Sequence, residues 1–295
     1  MASLKDVKVK ISVVKKTKQI TKAMNMVASA KLRGAQQRIE TFRPYAAKFN
    51  EVLHELADSS DSVTHPLLLR RPEVRSSAIL LCTSDRGLCG AFNANLISAA
   101  FALAREKNAR GIALKFYCVG KKGRDAVRKA GFEIMQSLTD LNAVYSFSIA
   151  GQIGRDLIFA YENGDVDEVN ILYGEFQSMF RQAPVRFPLL PITSGRDAEE
   201  LGRPEKAGLG REYSYEPAAP VLLATLLPQC VTVQIYRALL DSGASEQAAR
   251  MAAMENATRN CDELIGTLTL LYNKTRQAAI TRELIDIVGG VEALR

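Results

Sequence analysis

At both ends of the chain the apolar residues recur at the spacing of a helical seam, over a length that a small globular fold does not accommodate. Leu4, Val7, Ile11 and Val14 step by three, four and three residues. After a small-residue stretch, TKAMNMVASAKLR, the steps resume at Ile39, Phe42, Ala46, Phe49, Leu53 and Leu56. A strip this narrow asks for a second helix alongside it rather than a broad sheet or core. From residue 4 to residue 57, at roughly 1.5 Å per residue, the helix would run on the order of 80 Å and project from any domain attached to it. Pro44 lies inside it and predicts a kink or joint near Arg43.

The C-terminal third repeats the pattern. Met251, Met254, Cys261, Leu264, Leu268, Leu271, Thr275 and Ala278 follow heptad steps, and no proline occurs after Pro228. Strong helix formers fill the run SEQAARMAAMENATRNCDELIGTLTLLYNKTRQAAITRELIDIV, and Gly289-Gly290 predicts its end. The helical pattern over 229–288 again implies a rod near 90 Å. Two such rods at the two ends of one chain predict that the termini pair with each other.

Between them, SSAILLCTSD, ALKFYCVG and EVNILYGEF are short apolar runs rich in β-formers. Helical stretches such as NLISAAFALAREKNA and GKKGRDAVRKAG separate them, and this alternation marks a mostly parallel α/β sheet. The expected organisation is an N-terminal shaft helix over 1–60, a central α/β domain over 74–192, a Gly/Pro/charge-rich linker over 193–218 and a C-terminal shaft helix over 219–295. The fold class is therefore α/β: a long antiparallel two-helix coiled coil of the N- and C-terminal segments, with an inserted Rossmann-like α/β domain.

Charge is concentrated at one end. Residues 1–38 carry ten basic side chains against the single acid Asp6, a local +9 in a chain of net +7. A basic helix suits nucleic acid, an anionic membrane face or acidic loops on a protein partner. No aromatic residue interleaves before Phe42, and zinc-finger and RNA-binding signatures are absent, which weakens the nucleic-acid reading. Cys82, Cys89, Cys118, Cys230 and Cys261 form no CxxC pair, as expected of reduced thiols. Residues 217–236 are uncharged for 20 positions, but Pro220 and Pro228 interrupt them and Gln229, Thr232 and Gln234 add polar groups, so we expect packing against protein rather than a membrane span. The N-terminus shows neither a secretory h-region nor the Arg- and Ser-rich pattern of a transit peptide.

The turn SDRGLCGAFN at 84–93 follows an apolar run and is the natural candidate for chemistry. A P-loop needs GxxxxGK[ST] and a dinucleotide fingerprint GxGxxG; neither is present, and Gly87 and Gly90 supply only GxxG. GKKG at 120–123 follows a strand and could receive an anion. A nucleophile elbow needs GxSxG, and neither His54 nor His65 is positioned by sequence to activate Cys89, although Arg86 would favour its thiolate. No carboxylate pair or metal constellation stands out, so catalytic, cofactor and metal residues are expected to be none. A cysteine-dependent or nucleotide-using enzyme and a basic coiled-coil nucleic-acid binder stay as alternatives to a structural-mechanical part.

Three stretches go further. KISVVKKTKQITKAMNMVASAKLRGAQ at 10–36, SDRGLCGAFN at 84–93, and SEQAARMAAMENAT with LTLLYNKTRQAAITRELIDIVGG near the end closely resemble the gamma subunit of F-type ATP synthases. The resemblance implies a non-catalytic central rotor shaft that couples proton flow through the membrane c-ring to ATP synthesis and hydrolysis on the beta subunits. It implies three alpha and three beta subunits, the epsilon subunit and the c-ring as partners, with no nucleic acid and no direct membrane insertion. The expected location is peripheral, on the cytoplasmic face of a bacterial inner membrane. By motif, Lys22 and Met24 match the surface that meets an acidic loop on beta, with Arg86 and Cys89 near the same loops. Arg276, Gln277 and Thr281 match groups that hydrogen-bond the catch loop of beta. Ile285, Ile287 and Val288 match the apolar tip in the hexamer bearing, and Tyr213, Tyr215 and Glu216 the foot that meets the c-ring and epsilon. The chain departs from the family pattern at Lys15 and Lys16, where a neutral pair is more usual, in the order Lys18-Gln19, at Ala91 in place of Gly, and at Pro228, which leaves the start of the C-terminal helix open by several residues. The dithiol insertion of plastid members is missing, so redox regulation of that kind is not expected.

Overall fold

The computed structural model describes residues 4–58, 65–141, 145–179, 181–192 and 219–292. Helix α1 spans Leu4–Asp58 and continues through Pro44. The α/β elements follow as β1 Ser76–Cys82, α2 Phe92–Ala109, β2 Ala113–Val119, α3 Lys121–Lys129, β3 Glu133–Leu138, α4 Phe147–Glu162, β4 Glu168–Phe176 and β5 Gln182–Leu190. Helix α5 then spans Ala219–Glu292. It begins ten residues before the helical pattern read over 229–288 and contains Pro228, whose carbonyl accepts from Thr232 Oγ1 at 3.1 Å. It also passes through Gly289 and Gly290 instead of ending there, because glycine lowers helix propensity without forbidding the conformation.

The structure divides into two compact units, one made of residues up to Ala30 with those from Arg250 on, the other of Lys31–Ala249. In the first unit the ends of the chain pair antiparallel. Lys18 pairs with Asp262, Thr21 with Thr258 at 2.8 Å, and Asn25 Nδ2 donates to the Met251 carbonyl at 3.0 Å, so the partner number falls as the α1 number rises. On α1 the covered positions include Leu4, Val7, Ile11, Val14, Lys18, Thr21, Asn25 and Ala28, an unbroken heptad that crosses the small-residue stretch. Polar side chains at three consecutive seam positions fix register at some cost in stability. On α5 the covered positions include Met251, Met254, Thr258, Cys261, Ile265, Leu268, Tyr272, Thr275 and Ala279. Expected seam members Leu264, Leu271 and Ala278 are therefore displaced by their neighbours Ile265, Tyr272 and Ala279. Leu264 and Leu271 are instead half open to solvent, at 50% and 46%. Adjacent apolar residues make both registers plausible in sequence, and the partner helix chooses one.

The second unit is built on a five-stranded sheet of order β3-β2-β1-β4-β5. The first four strands are parallel and β5 joins β4 antiparallel. Alternation along β1 sends Ala78, Leu80 and Cys82 to one face and Ile79 and Leu81 to the other. The first face packs on α4 through Ile153 and Leu157 and on α5 through Leu223, Leu227, Val231 and Ile235. The second packs on α2 through Leu96, Ala100 and Leu103 and on α3 through Val127. Helix α5 is long and apolar enough to cross a membrane by length and composition. Its uncharged stretch is taken up in the sheet core, with Leu227 and Val231 fully buried. Burying such side chains is worth about 2 kcal/mol each. Within this unit Tyr236 of α5 takes Phe42 of α1 edge-on at 4.9 Å and Phe147 of α4 edge-on at 5.5 Å.

Candidate functional site

The turn after β1 is closed on itself. Its left-handed residues are Leu88 (φ 63°) and Gly90 (φ 57°); Gly87 is not one of them. Ser84 Oγ donates to the Arg86 carbonyl at 2.6 Å, and Asn93 Nδ2 reaches Ser84 Oγ at 2.7 Å and Cys89 Sγ at 3.1 Å. Cys89 is 2% exposed, and its described polar neighbours are Ser84, Asn93 and the Arg86 carbonyl, none of them a base. A thiol enclosed in this way packs the turn. Arg86, Leu88 and Ala91 are the exposed side chains of the turn.

The GKKG segment does not offer an anion cradle. Gly120 takes φ 94° and ends β2 against Thr83, and α3 starts at the next residue. The first amides of α3 are already satisfied: Lys121 N by Asp85 Oδ1 at 3.1 Å, Lys122 N by the Ser84 carbonyl at 3.1 Å and Gly123 N by Thr83 Oγ1 at 2.8 Å. Helix N-termini bind anions through free amides, and here protein acceptors occupy them. Among the described residues no group of three or more His, Cys, Asp or Glu converges as a metal site. Burial pushes the thiols of Cys82, Cys118 and Cys230 up to about 12, so they are inert as nucleophiles near neutral pH.

A cavity of about 280 Å³ lies in the second unit between α1 and α5, lined by Ile39, Phe42, Ala46 and Leu240 with Arg43, Arg237 and Asp241. Desolvation raises the Asp241 carboxyl from 3.8 to about 6, opposed by Arg237 and Arg43 and reinforced by Glu175. The folded state therefore favours the protonated acid. Its contribution is full below about pH 4 and is lost as pH rises through about 6, a change of up to about 3 kcal/mol. Asp241→Asn is expected to raise the unfolding midpoint at neutral pH and to change it little near pH 4. Equal shifts at both pH values would mean that the charge is not what costs stability here.

The contact candidates stand at the surface. Of the ten basic residues in 1–38 all are exposed except Lys18, which the seam half covers. Lys22 is exposed and Met24 half-buried, and Val13, Ile20 and Val27 are exposed apolar residues at seven-residue intervals along the same helix. Arg276, Gln277 and Thr281 are exposed on α5, with Thr281 Oγ1 bonded to the Gln277 carbonyl at 2.9 Å. Beyond Ala279 the seam stops, and Ile285, Ile287 and Val288 are 63%, 64% and 66% exposed. Tyr213, Tyr215 and Glu216 lie outside the described residues. Sequence reasoning missed Ser242 and Ser245, two buried hydroxyls of α5 that bond strand carbonyls; the small-residue run DSGAS at 241–245 was the available signal.

One unit is a pair of terminal helices and the other an open α/β sheet with its covering helices. Comparison with known proteins gives the family. The ATP synthase family profile matches residues 3–294. The ATP synthase gamma chain of Nitratidesulfovibrio vulgaris strain Hildenborough is 60% identical over 295 residues, all of both chains. The central stalk of the Tetrahymena thermophila mitochondrial ATP synthase is similar at 26% identity and TM-score 0.59, over 81% of this chain and 99% of that one. A chain in the Euglena gracilis mitochondrial ATP synthase (OSCP/F1/c-ring) shares the fold at TM-score 0.68 and 22% identity, over 99% of this chain and 94% of that one. The chain belongs to the ATP synthase gamma chain family.

Proposed function

We propose that this chain is the central rotor shaft of an F-type ATP synthase, passing torque between ion flow through a membrane c-ring and nucleotide chemistry on beta subunits. Full-length similarity to bacterial gamma chains carries the proposal. Its partners are three alpha and three beta subunits, an epsilon subunit and the c-ring, at the cytoplasmic face of the membrane, and the chain itself is non-catalytic. Exposed Lys22, with Met24 beside it, and exposed Arg86 suit acidic loops on beta. Arg276, Gln277 and Thr281 suit polar catch contacts, in which the guanidinium makes charge-assisted bonds to carboxylates. The bare apolar turns at Ile285, Ile287 and Val288 suit a greasy bearing, and the segment with Tyr213, Tyr215 and Glu216 is assigned to the c-ring and epsilon contact.

Mechanically, each rotor angle presents a different side of an asymmetric helix pair to each beta subunit. Contacts stronger with one beta conformation than another are the coupling free energy between rotation and nucleotide affinity. Purification from salt-washed membranes should yield the chain with stoichiometric alpha and beta subunits. Recovery as a free homo-oligomer with its own turnover would overturn the reading, as would salt-sensitive DNA retention that depends on residues 1–38.

A further inference from the structure

Twelve consecutive residues of α5, from Ala238 to Ala249, are buried. Successive helical side chains turn by about 100°, so a run this long has neighbours on every side. Within the run Ser242 Oγ donates to the Cys82 carbonyl at 3.2 Å, at the C-terminal end of β1. Ser245 Oγ donates to the Gly174 carbonyl at 3.0 Å on β4. Strands β1 and β4 are the neighbours between which the strand order reverses, and open α/β sheets hold their ligands outside the carboxyl ends of such a pair. Here the chain's own helix fills that crevice.

The close fit depends on glycines. A Cβ on Gly174 would stand 2.6 Å from the Phe92 ring and 3.3 Å from Ser245 Cβ, and one on Gly243 would stand 2.9 Å from the Tyr145 ring. Gly174 is opposite Pro184, which has no N–H to offer, and the Ser245 hydroxyl supplies its carbonyl with a donor. Ser242 and Ser245 are 2% and 0% exposed. Apolar burial is non-directional: it opposes separation but does little against sliding or twisting. A buried hydrogen bond resists both, since it weakens steeply with angle and leaves two polar groups unpaired when broken.

We propose that Ser242 and Ser245 are the torque-bearing contacts between α5 and the sheet, fixing the rotational setting of the helix in the crevice so that load on the α/β domain reaches the helix without slip. This rests on the rotor reading. Both are positioning residues, acting on the reaction only through the helix they hold.

The test uses the whole complex reconstituted in vesicles, with Ser242→Ala, Ser245→Ala and the double variant. Ions pumped per ATP hydrolysed are read against a rising imposed gradient, with proton and sodium probes. Thr225→Ala is the control: it removes a hydroxyl of the same helix bonded to that helix's own Val221 carbonyl at 3.3 Å. The double variant should lose about fivefold in ions per ATP under load, each single variant less, and the control nothing. Undiminished pumping under load by the double variant overturns the proposal, as does an equal loss in Thr225→Ala. Where the double variant does not assemble, the single variants are held to the same criteria. A parent complex that hydrolyses ATP without pumping either ion would sink the rotor reading itself, an outcome distinct from parent and variants pumping alike.

Discussion

Gly120→Ala is expected to destabilise the second unit by about 4 kcal/mol or more, because two penalties coincide. The residue sits at φ 94°, a conformation closed to side chains, and its Cβ would come 2.2 Å from the Thr83 carbonyl oxygen. Backbone cannot swing aside as a flexible side chain does, so β1, β2 and the start of α3 would have to part. Gly111→Ala provides the contrast. Its φ is 74° with nothing within 4 Å of the added carbon, so strain alone applies and about 1 kcal/mol is expected. Urea unfolding of the two variants separates strain from collision. Equal midpoints would mean that the approach to Thr83 is looser than described.

The second large effect concerns the assembled motor. Arg276→Ala combined with Gln277→Ala should lower rotation-coupled ATP hydrolysis by about tenfold or more, the loss expected when charge-assisted bonds to a partner disappear. The isolated chain should melt as before. Both side chains are exposed, and the described bond at Gln277 uses its backbone carbonyl, which the substitution keeps. Normal hydrolysis and synthesis by complexes carrying both changes would remove these residues from the catch contact.

Much of this fold was legible in the sequence, for reasons that can be named. The two long seams and the runs SSAILLC, ALKFYCV and EVNILYGEF are periodic signals, and they correspond to α1, α5, β1, β2 and β4. Strands β3 and β5 gave weaker signals. The first is a partly covered edge, and the second, QAPVRFPLL, carries two prolines that an edge strand tolerates because it faces no partner on one side. The register of the α5 seam depended on a choice between adjacent apolar residues that only the partner helix makes. The turn at 84–93 showed its glycines but not that Leu88 would take a left-handed conformation, a choice imposed by the surrounding hydrogen bonds. The residues proposed to meet partner subunits came from motif resemblance, since exposed side chains such as Arg276 leave no mark on the packing of their own chain.

The bond from Ser242 to the Cys82 carbonyl joins residues 160 positions apart. A polypeptide leaving the ribosome at about 5–20 residues per second must wait on the order of ten seconds between making β1 and making the helix that closes over it. During that interval the carboxyl end of β1, and that of β4 once it is made, stand open to water together with the apolar face meant for Leu227 and Val231. Nascent chains of this family therefore need either a holding chaperone or slow collapse, and truncation within α5 should yield an aggregation-prone fragment rather than a smaller folded domain.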